Sequence, residues 1–369
     1  MQSSRMIILA AMVGSAHAAE PIKADRVATV VEALTRLGPE KVEANPKLKT
    51  ALEQVLDATQ GTPQFVDLVR DFKIKNRDSA LLEIAARNSN NSTGAEATRL
   101  VLANRDFEML KKALAATNAV KVAEALGNTG EKEILPLLEP IVADSSRDAT
   151  LRKQAVVALA QVQGGAAWLL ELAKGQNLPD DLKPAARSEL NNVRWANIKT
   201  EAARLLPLPP GGNSGPLPPI SELVNQPGDP RRGAEVFRRD AVGCLKCHQV
   251  KGEGVDFGPN LSEIGAKLGK DALYQAILDP SAGISFGFEA WQIELKNGDE
   301  AYGLIVSDTA DEIALKAPGN IVTRYKKSDL TKREQQKLSI MPAGLERTLS
   351  TQDLVDLVEY LASLKAAAN

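Results

Sequence analysis

Five consecutive residues, Cys244-Leu245-Lys246-Cys247-His248, hold both cysteines of the 369-residue chain and one of its two histidines. Two thiols separated by two residues lie about one helical turn apart, and an imidazole follows directly. Four chemistries use such a set. A tetrahedral zinc site needs a fourth ligand, usually from a second Cys/His pair, and the chain has none. A thioredoxin-type dithiol follows a strand in a βαβ unit, a pattern missing before Cys244. A structural disulfide gives no reason for the adjacent histidine. The remaining chemistry is covalent attachment of a c-type haem. There the two sulfurs form thioether bonds to the porphyrin, and His248 sits beneath the iron as proximal ligand. The other three stay as alternatives.

The inventory around this site is thin. The second histidine, His17, and three of the five methionines (Met1, Met6, Met12) lie in the first 18 residues. That stretch has Arg5, an apolar run from Met6 to Gly14, and Ala16-His17-Ala18 before Ala19. A short basic start, a short apolar core and an Ala-x-Ala end describe a secretory signal peptide, cleaved near Ala18. The run is roughly half of what spans a bilayer. The expectation is an exported, periplasmic protein with no membrane span in its mature chain. The mature chain would keep one histidine and two methionines, Met109 and Met341. One histidine excludes three-histidine zinc and facial-triad sites, and one Cys pair allows a single attached haem.

Bulk composition points away from nucleic acid. Lys and Arg (45) nearly cancel Asp and Glu (47), for a net charge of −2. Apolar residues make up 44%, enough for real cores, and the length suggests more than one domain. Residues 19–220 carry five of the fourteen aromatic residues, and residues 221–369 carry nine in a shorter stretch. The two parts therefore have different cores.

The elements that would position the site divide in the same way. From Pro21 to Leu205 the sequence reads as helix-length segments. Val27, Val30, Val31, Leu34 and Leu37 form one apolar stripe, and Leu151, Ala155, Leu159 and Val162 another. Breaks fall at Gly61-Thr62-Pro63, Asn88–Gly94, Gly127–Gly130, Gly164-Gly165 and Gly175–Pro179. Ala125-Leu126 followed by Leu137-Leu138 matches Ala158-Leu159 followed by Leu169-Leu170 at an offset of 32 to 33 residues, with a weaker third copy at Glu189-Leu190. Helix pairs at that period indicate an α-solenoid over residues 19–205. Pro136, Asp144 and Arg152 resemble the pattern of a HEAT repeat. The alternative is an irregular helical bundle, and neither supplies chemistry.

Residues 206–219 contain six prolines and three glycines, a composition that cannot pack a core. We expect a linker over 206–220 that reaches roughly 40 Å when extended. Asp229–Asp240 then reads as a helix leading into the cysteine pair. Further on, Trp291, Ile293 and Leu295 alternate with polar residues, Asn297-Gly298 signals a hairpin turn, and Tyr302, Leu304 and Val306 alternate again. Ile313, Leu315, Ile321 and Val322 suggest further strands.

Around the Cys-x-x-Cys-His run, residues 229–284 and 326–365 resemble a class I cytochrome c. Gly233 and Phe237 match its first helix, Gly258-Pro259-Asn260-Leu261 matches the segment after the haem site, and Leu354, Leu357, Val358, Tyr360 and Leu361 match its last helix. The resemblance implies that the Pro259 carbonyl accepts a hydrogen bond from the imidazole of His248, which orients the ring. It also implies that Met341, within Ser339–Leu345, is the distal axial ligand, with Met109 the only other methionine of the mature chain. More narrowly, Gly258–Gly265, Ile277–Ser281 and Ser339–Leu345 are similar to the haem-binding domain of exported planctomycete and verrucomicrobial proteins. In that family a solenoid often precedes the cytochrome domain, and a propeller-type dehydrogenase domain often precedes both. This chain shows no propeller. His248 and Met341 are 93 residues apart, more than a compact class I cytochrome needs, so residues 285–325 read as a small antiparallel β subdomain inserted in a cytochrome domain spanning 221–369.

The expected fold is thus mainly α: a HEAT-like solenoid, then the cytochrome domain with its β insertion. The expected function is single-electron transfer through one covalently attached haem c with His248/Met341 axial ligation, the solenoid acting as scaffold or partner-binding arm. Such a chain reads as an electron carrier or as the electron-transfer subunit of a dehydrogenase system, working with a periplasmic dehydrogenase or another cytochrome. Two alternatives remain: a haem enzyme or sensor of peroxide or gas with an open distal site, and an interaction protein in which the cytochrome is secondary. Lys326, Lys327, Lys332, Arg333 and Lys337 either ring the haem edge and steer an acidic partner or form a solvated helix face.

Overall fold

The computed structural model describes residues 22, 24–208, 216–239 and 242–365. The leader segment 1–18 and residues 209–215 of the expected linker lie outside the described residues. The chain divides into two compact units, one ending at Arg77 and one beginning at Asp78.

The first unit holds four helices: α1 (Ala24–Leu37), α2 (Pro39–Glu43), α3 (Pro46–Thr59) and α4 (Pro63–Asp71). Three of them start with proline, whose missing N–H costs nothing at the first helical position. The Asn45 side chain accepts from the Lys47 N–H, and the Thr62 side chain from that of Phe65, so two of these starts are capped. Leu34, Val42, Val55, Leu56, Phe65 and Val66 are buried.

The second unit opens with nine helices: α5 (Asp78–Arg87), α6 (Ser92–Asn104), α7 (Phe107–Ala113), α8 (Ala119–Gly127), α9 (Leu135–Ala143), α10 (Ala149–Ala160), α11 (Gln163–Lys174), α12 (Lys183–Leu190) and α13 (Ala196–Leu205). Helix α6 pairs with α5, and the other eight pack in two rows. In one, α5 touches α8, α8 touches α10 and α10 touches α12; in the other, α7, α9, α11 and α13 follow one another. The repeat offset found in the sequence carries α8 onto α10 and α9 onto α11, neighbours within these rows. Arg152 ties them together: its buried guanidinium donates to the Val142 carbonyl at 3.3 Å and to Asp181 at 2.7 Å. One expected break moves. Gly164 and Gly165 lie in the first turn of α11, not between helices. A Cβ on Gly165 would stand 2.3 Å from the Leu159 carbonyl oxygen, so glycine serves close approach here rather than chain reversal.

Beyond these come α14 (Ile220–Leu223), α15 (Pro230–Arg238), α16 (Ile264–Lys267), α17 (Lys270–Leu278) and α18 (Thr351–Ser363). Helix α18 packs on α15, α16 and α17, and its Leu354, Leu357, Val358 and Leu361 are buried among Val236, Phe237, Leu273 and Tyr274. Tyr274 donates its hydroxyl to the Leu223 carbonyl at 3.2 Å, tying α14 to α17, and burial pushes its phenol up to about 12. At the α15–α18 crossing a Cβ on Gly233 would sit 1.9 Å from the Asp356 carbonyl oxygen. The close approach predicted from Gly233 is therefore present. Asp356 is buried there. It accepts from the Asp229 N–H at 2.7 Å, from Arg232 at 2.7 and 3.1 Å, and from Gln352 at 2.9 Å. Burial pushes this carboxyl up, but those donors together hold it below the usual aspartate range.

Strands β1 (Gln249–Val250) and β2 (Glu253–Gly254) form a small hairpin after His248. The larger sheet contains β3 (Ala290–Leu295), β4 (Glu300–Asp308), β5 (Glu312–Ala317), β6 (Ile321–Lys326) and β7 (Leu330–Gln335), all antiparallel, in the order β6-β5-β4-β3-β7. The β3–β4 turn is the expected one, with Gly298 at φ 84. The register of β4 against β5 shifts between Ile305 and Ser307, which turns Val306 outward to half exposure where simple alternation had it facing like Leu304.

The sheet runs to Gln335, ten residues past the expected end of the insertion at 325. Its last strand, Leu-Thr-Lys-Arg-Glu-Gln, has no apolar alternation; pairing with β3 (Ile293 opposite Arg333) makes it a strand. The basic run is accordingly not a helix face. Lys327 and Arg333 both pair with Asp308, Lys332 pairs with Glu334, and Arg333 stacks 4.5 Å from the Trp291 ring centroid. Three of the five cations offered for steering a partner are thus held by carboxylates of the same sheet, two of them by one aspartate.

Helices and sheet meet within the second unit. The Val322 N–H donates to the Ser92 hydroxyl at 2.8 Å, Arg194 pairs with Glu300 at 3.0 Å, and Lys132 donates to the Asn297 carbonyl. The Arg194 guanidinium also lies 4.6 Å from the Trp195 ring and 5.2 Å from that of Tyr302. These contacts join the segments on either side of the Pro/Gly stretch into one unit.

Candidate functional site

Helix α15 ends at Arg238, and a short 3-10 turn over Cys244–Lys246 follows. It starts at Gly243, φ 80, a left-handed conformation that glycine adopts without strain. The His248 N–H donates to the Cys244 carbonyl at 2.9 Å, so the motif is one compact turn. The next segment folds back on it: Phe257 and Gly258 donate their N–H groups to the Cys247 carbonyl at 3.1 and 2.6 Å, and Val255 donates to Leu245 at 3.0 Å. On its other side Asp256 pairs with the largely buried Lys316 of β5 at 3.4 Å.

This fold-back brings Pro259 to the histidine. His248 Nδ1 lies 2.8 Å from the Pro259 carbonyl oxygen. A carbonyl can only accept, so Nδ1 carries the proton and donates it, and Nε2 is left with a free lone pair. Burial pushes the imidazole below its usual pKa, and the Pro259 bond opposes this only in part. A neutral ring with a bare Nε2 is the form that binds a metal. Gly258 sets the ring plane, since a Cβ there would stand 2.7 Å from Cε1 and 2.9 Å from Nδ1.

Cys244, His248 and Met341 line one partly open cavity, whose walls include Phe237, Ile277 and Leu357. Cys247 lies half-buried beside it. Met341 arrives from the loop after β7. Ser339 holds that loop twice: its N–H donates to the Ser281 hydroxyl at 3.1 Å, and its hydroxyl accepts from the Met341 N–H at 3.2 Å. The structure thus brings Cys244, His248 and Met341 together, with Pro259 behind the imidazole. Met109 lies in α7, away from this cavity's walls. Sequence reasoning missed Ile277 and Leu349 as wall residues, because an apolar side chain facing a cavity has the same signature as one facing a core. It also missed Asp356, whose burial depends on the helix crossing.

The cysteines do not have the character of a reactive dithiol. Burial pushes Cys244 up to about 11 and raises Cys247 as well, so both are protonated at neutral pH. Among the described residues no group of three or more His, Cys, Asp or Glu side chains is placed to hold a metal ion. An apolar cavity walled by one imidazole, one thioether and a thiol, with the second thiol beside it, fits a haem c.

A family model for cytochrome c matches residues 230–295. The chain carries a cytochrome c domain. The match begins at the first residue of α15, takes in Cys244, Cys247, His248 and Pro259, and ends at the last residue of β3. No curated protein matches the chain. A cytochrome c domain holds a covalently bound haem, which points to a haem-binding electron-transfer protein. When bound, the haem supplies one-electron chemistry at its iron. Of the residues around the cavity, Gly258 and Pro259 fix the His248 ring, and the remaining walls are mostly apolar.

Gly258→Ala tests the orienting role. The added methyl group must push the imidazole and weaken its bond to Pro259. A weaker bond makes Nε2 less basic, so a haem iron held by His248 would lose stabilisation in its oxidised form. The reduction potential of the haem-loaded protein is expected to rise, and redox titration measures it. An unchanged potential would mean that the ring is oriented by other contacts.

Proposed function

We propose that the chain is an exported mono-haem c-type cytochrome that carries single electrons. Cys244 and Cys247 provide the thioether bonds, His248 is the proximal ligand, Met341 the distal ligand, and Pro259 the acceptor that orients His248. One observation carries this reading. The only imidazole and the only methionine of the described site share one apolar cavity, and the imidazole's other nitrogen is committed to Pro259. Histidine with methionine leaves no open position on iron and raises the potential relative to two nitrogen ligands.

The two rows of α5–α13 are the body of a HEAT-like solenoid. Their stacking and the repeat offset support that reading, and the sequence likeness to the planctomycete and verrucomicrobial haem-binding domain fits it. The solenoid serves as an arm for a periplasmic redox partner, a dehydrogenase or another cytochrome. Export rests on the leader sequence. No single helix among the described residues is long and apolar enough to cross a membrane.

Absorption spectroscopy of the purified protein tests the ligation. The oxidised wild type is expected to be low-spin with a methionine–iron charge-transfer band, and Met341→Ala to lose that band and become largely high-spin. A high-spin wild type would overturn electron transfer in favour of an open distal site that binds peroxide or gas.

A further inference from the structure

The second unit contains a polar seam where the helical rows meet the sheet. On the helical side stand Glu96 and Arg99 of α6 and the segment Glu131-Lys132-Glu133 that leads into α9. On the sheet side stand Asp299, in the β3–β4 turn, and Tyr325, on β6. Arg99 lies 3.7 Å from both Glu96 and Glu131, and its guanidinium donates to the Thr129 carbonyl at 2.7 Å. Lys132 approaches Asp299 at 3.8 Å, and its N–H approaches the same carboxylate at 3.5 Å. The side chains of Arg99, Glu96, Glu131 and Asp299 expose 12%, 18%, 26% and 6% of their surface, so little water screens them.

Four carboxyl groups here face two cations. With all four ionised the seam holds two uncompensated negative charges, and one pair of them, Glu131 and Asp299, sits on opposite sides of it. The hydrogen bonding is also incomplete: Arg99 Nε and Nη1 and Glu133 Oε2 are buried without hydrogen-bond partners. A proton taken up at Glu131 removes one of the negative charges that act on Asp299 and leaves Arg99 paired with Glu96.

We propose that this seam is a proton-controlled latch between the helical rows and the β sheet, with Glu131 as the group that takes up the proton. The chemistry agrees: burial, aided by Asp299, Glu133 and Glu96 and opposed by Arg99, raises the Glu131 carboxyl to about 7. A carboxyl raised in the closed form stabilises closure fully below its ordinary value, near 4.5, and that stabilisation is lost as pH rises to about 7. The latch is therefore tight in mild acid and loosened at neutral pH and above. The sheet it holds leads through β7 into the loop that carries Met341.

Hydrogen exchange on the full chain tests this, followed by mass spectrometry between pH 4.5 and 8 and expressed as protection corrected for the intrinsic pH dependence of exchange. Peptides covering residues 92–104, 128–135, 297–301 and 321–326 are expected to lose protection by roughly a hundredfold as pH rises, while peptides from α15 and α18 do not. Glu131→Gln keeps the shape of the side chain without its charge and should hold the seam closed at every pH. Asp299→Asn removes a charge that raises Glu131, so the loss becomes smaller and is complete at lower pH. The proposal is overturned if Glu131→Gln loses protection as the wild type does, if wild-type protection does not change, or if the loss extends equally over α15 and α18.

Discussion

Replacing Cys244 and Cys247 together by alanine is expected to leave no covalently bound haem on the protein. The two sulfurs sit on one compact turn, held by the bond from the His248 N–H to the Cys244 carbonyl and by the fold-back of Phe257 and Gly258 onto Cys247. Both thiols are protonated, apolar-walled groups, one pushed up to about 11, so they have little tendency to act as thiolates or to bind a stray metal. The proposed function instead uses them for thioether bonds. Either single substitution keeps one bond and should retain part of the haem; the double substitution keeps none. Haem staining of the denatured protein after electrophoresis reads this directly. The cavity between Phe237, Ile277 and Leu357 has no polar group but His248 with which to fill itself. Loss of its occupant should therefore also lower the thermal midpoint of the domain. Haem that survives denaturation in the double variant would remove the basis for the assignment.

Gly233→Ala should be the most destabilising single methyl group added to the cytochrome domain. The new Cβ would lie 1.9 Å from the Asp356 carbonyl oxygen and 2.7 Å from Tyr360 Cβ. The first neighbour is the backbone of α18, so the clash cannot be relieved by a rotamer change; α15 and α18 must separate. Separation disturbs the Phe237–Tyr360 contact, with ring centroids 5.7 Å apart, and the four hydrogen bonds that satisfy buried Asp356. Overpacking of this kind costs about 3 kcal/mol, a large share of the stability of a domain this size. Gly283→Ala is the control, since nothing lies within 4 Å of a Cβ there and its backbone is not left-handed, and it should be close to neutral. Denaturant unfolding of the two variants should separate them clearly. Equal midpoints would show that the crossing is more plastic than its geometry implies.

The site was largely legible because its chemistry is contiguous. Cys244, Cys247 and His248 are neighbours in the chain, and Pro259 follows within a short fold-back. The α15 and α18 helices were legible as well: Gly233 and the stripe of Leu354, Leu357, Val358 and Leu361 have the period and the small residue that a close crossing needs. The repeat offset anticipated the pairing of α8 with α10 and α9 with α11. Strand β7 was hidden, because Leu330–Gln335 alternates charge with charge and becomes a strand only through its partner β3. The role expected of Gly164-Gly165 was also misplaced, since a glycine that breaks a helix and one that lets two helices touch look the same in sequence.

By itself the sequence singled out the candidate atoms for the chemistry, because two thiols, an imidazole and a scarce thioether leave few other uses for themselves. Only the tertiary structure decided which charges meet. Glu96, Arg99, Glu131, Asp299 and Tyr325 come from four separate elements, and Lys327, Lys332 and Arg333 find Asp308 and Glu334 only once the sheet has formed. The physical reason is range. Covalent attachment and helical periodicity act over a few residues, whereas burial and Coulomb pairing depend on distances that exist only after the chain has folded.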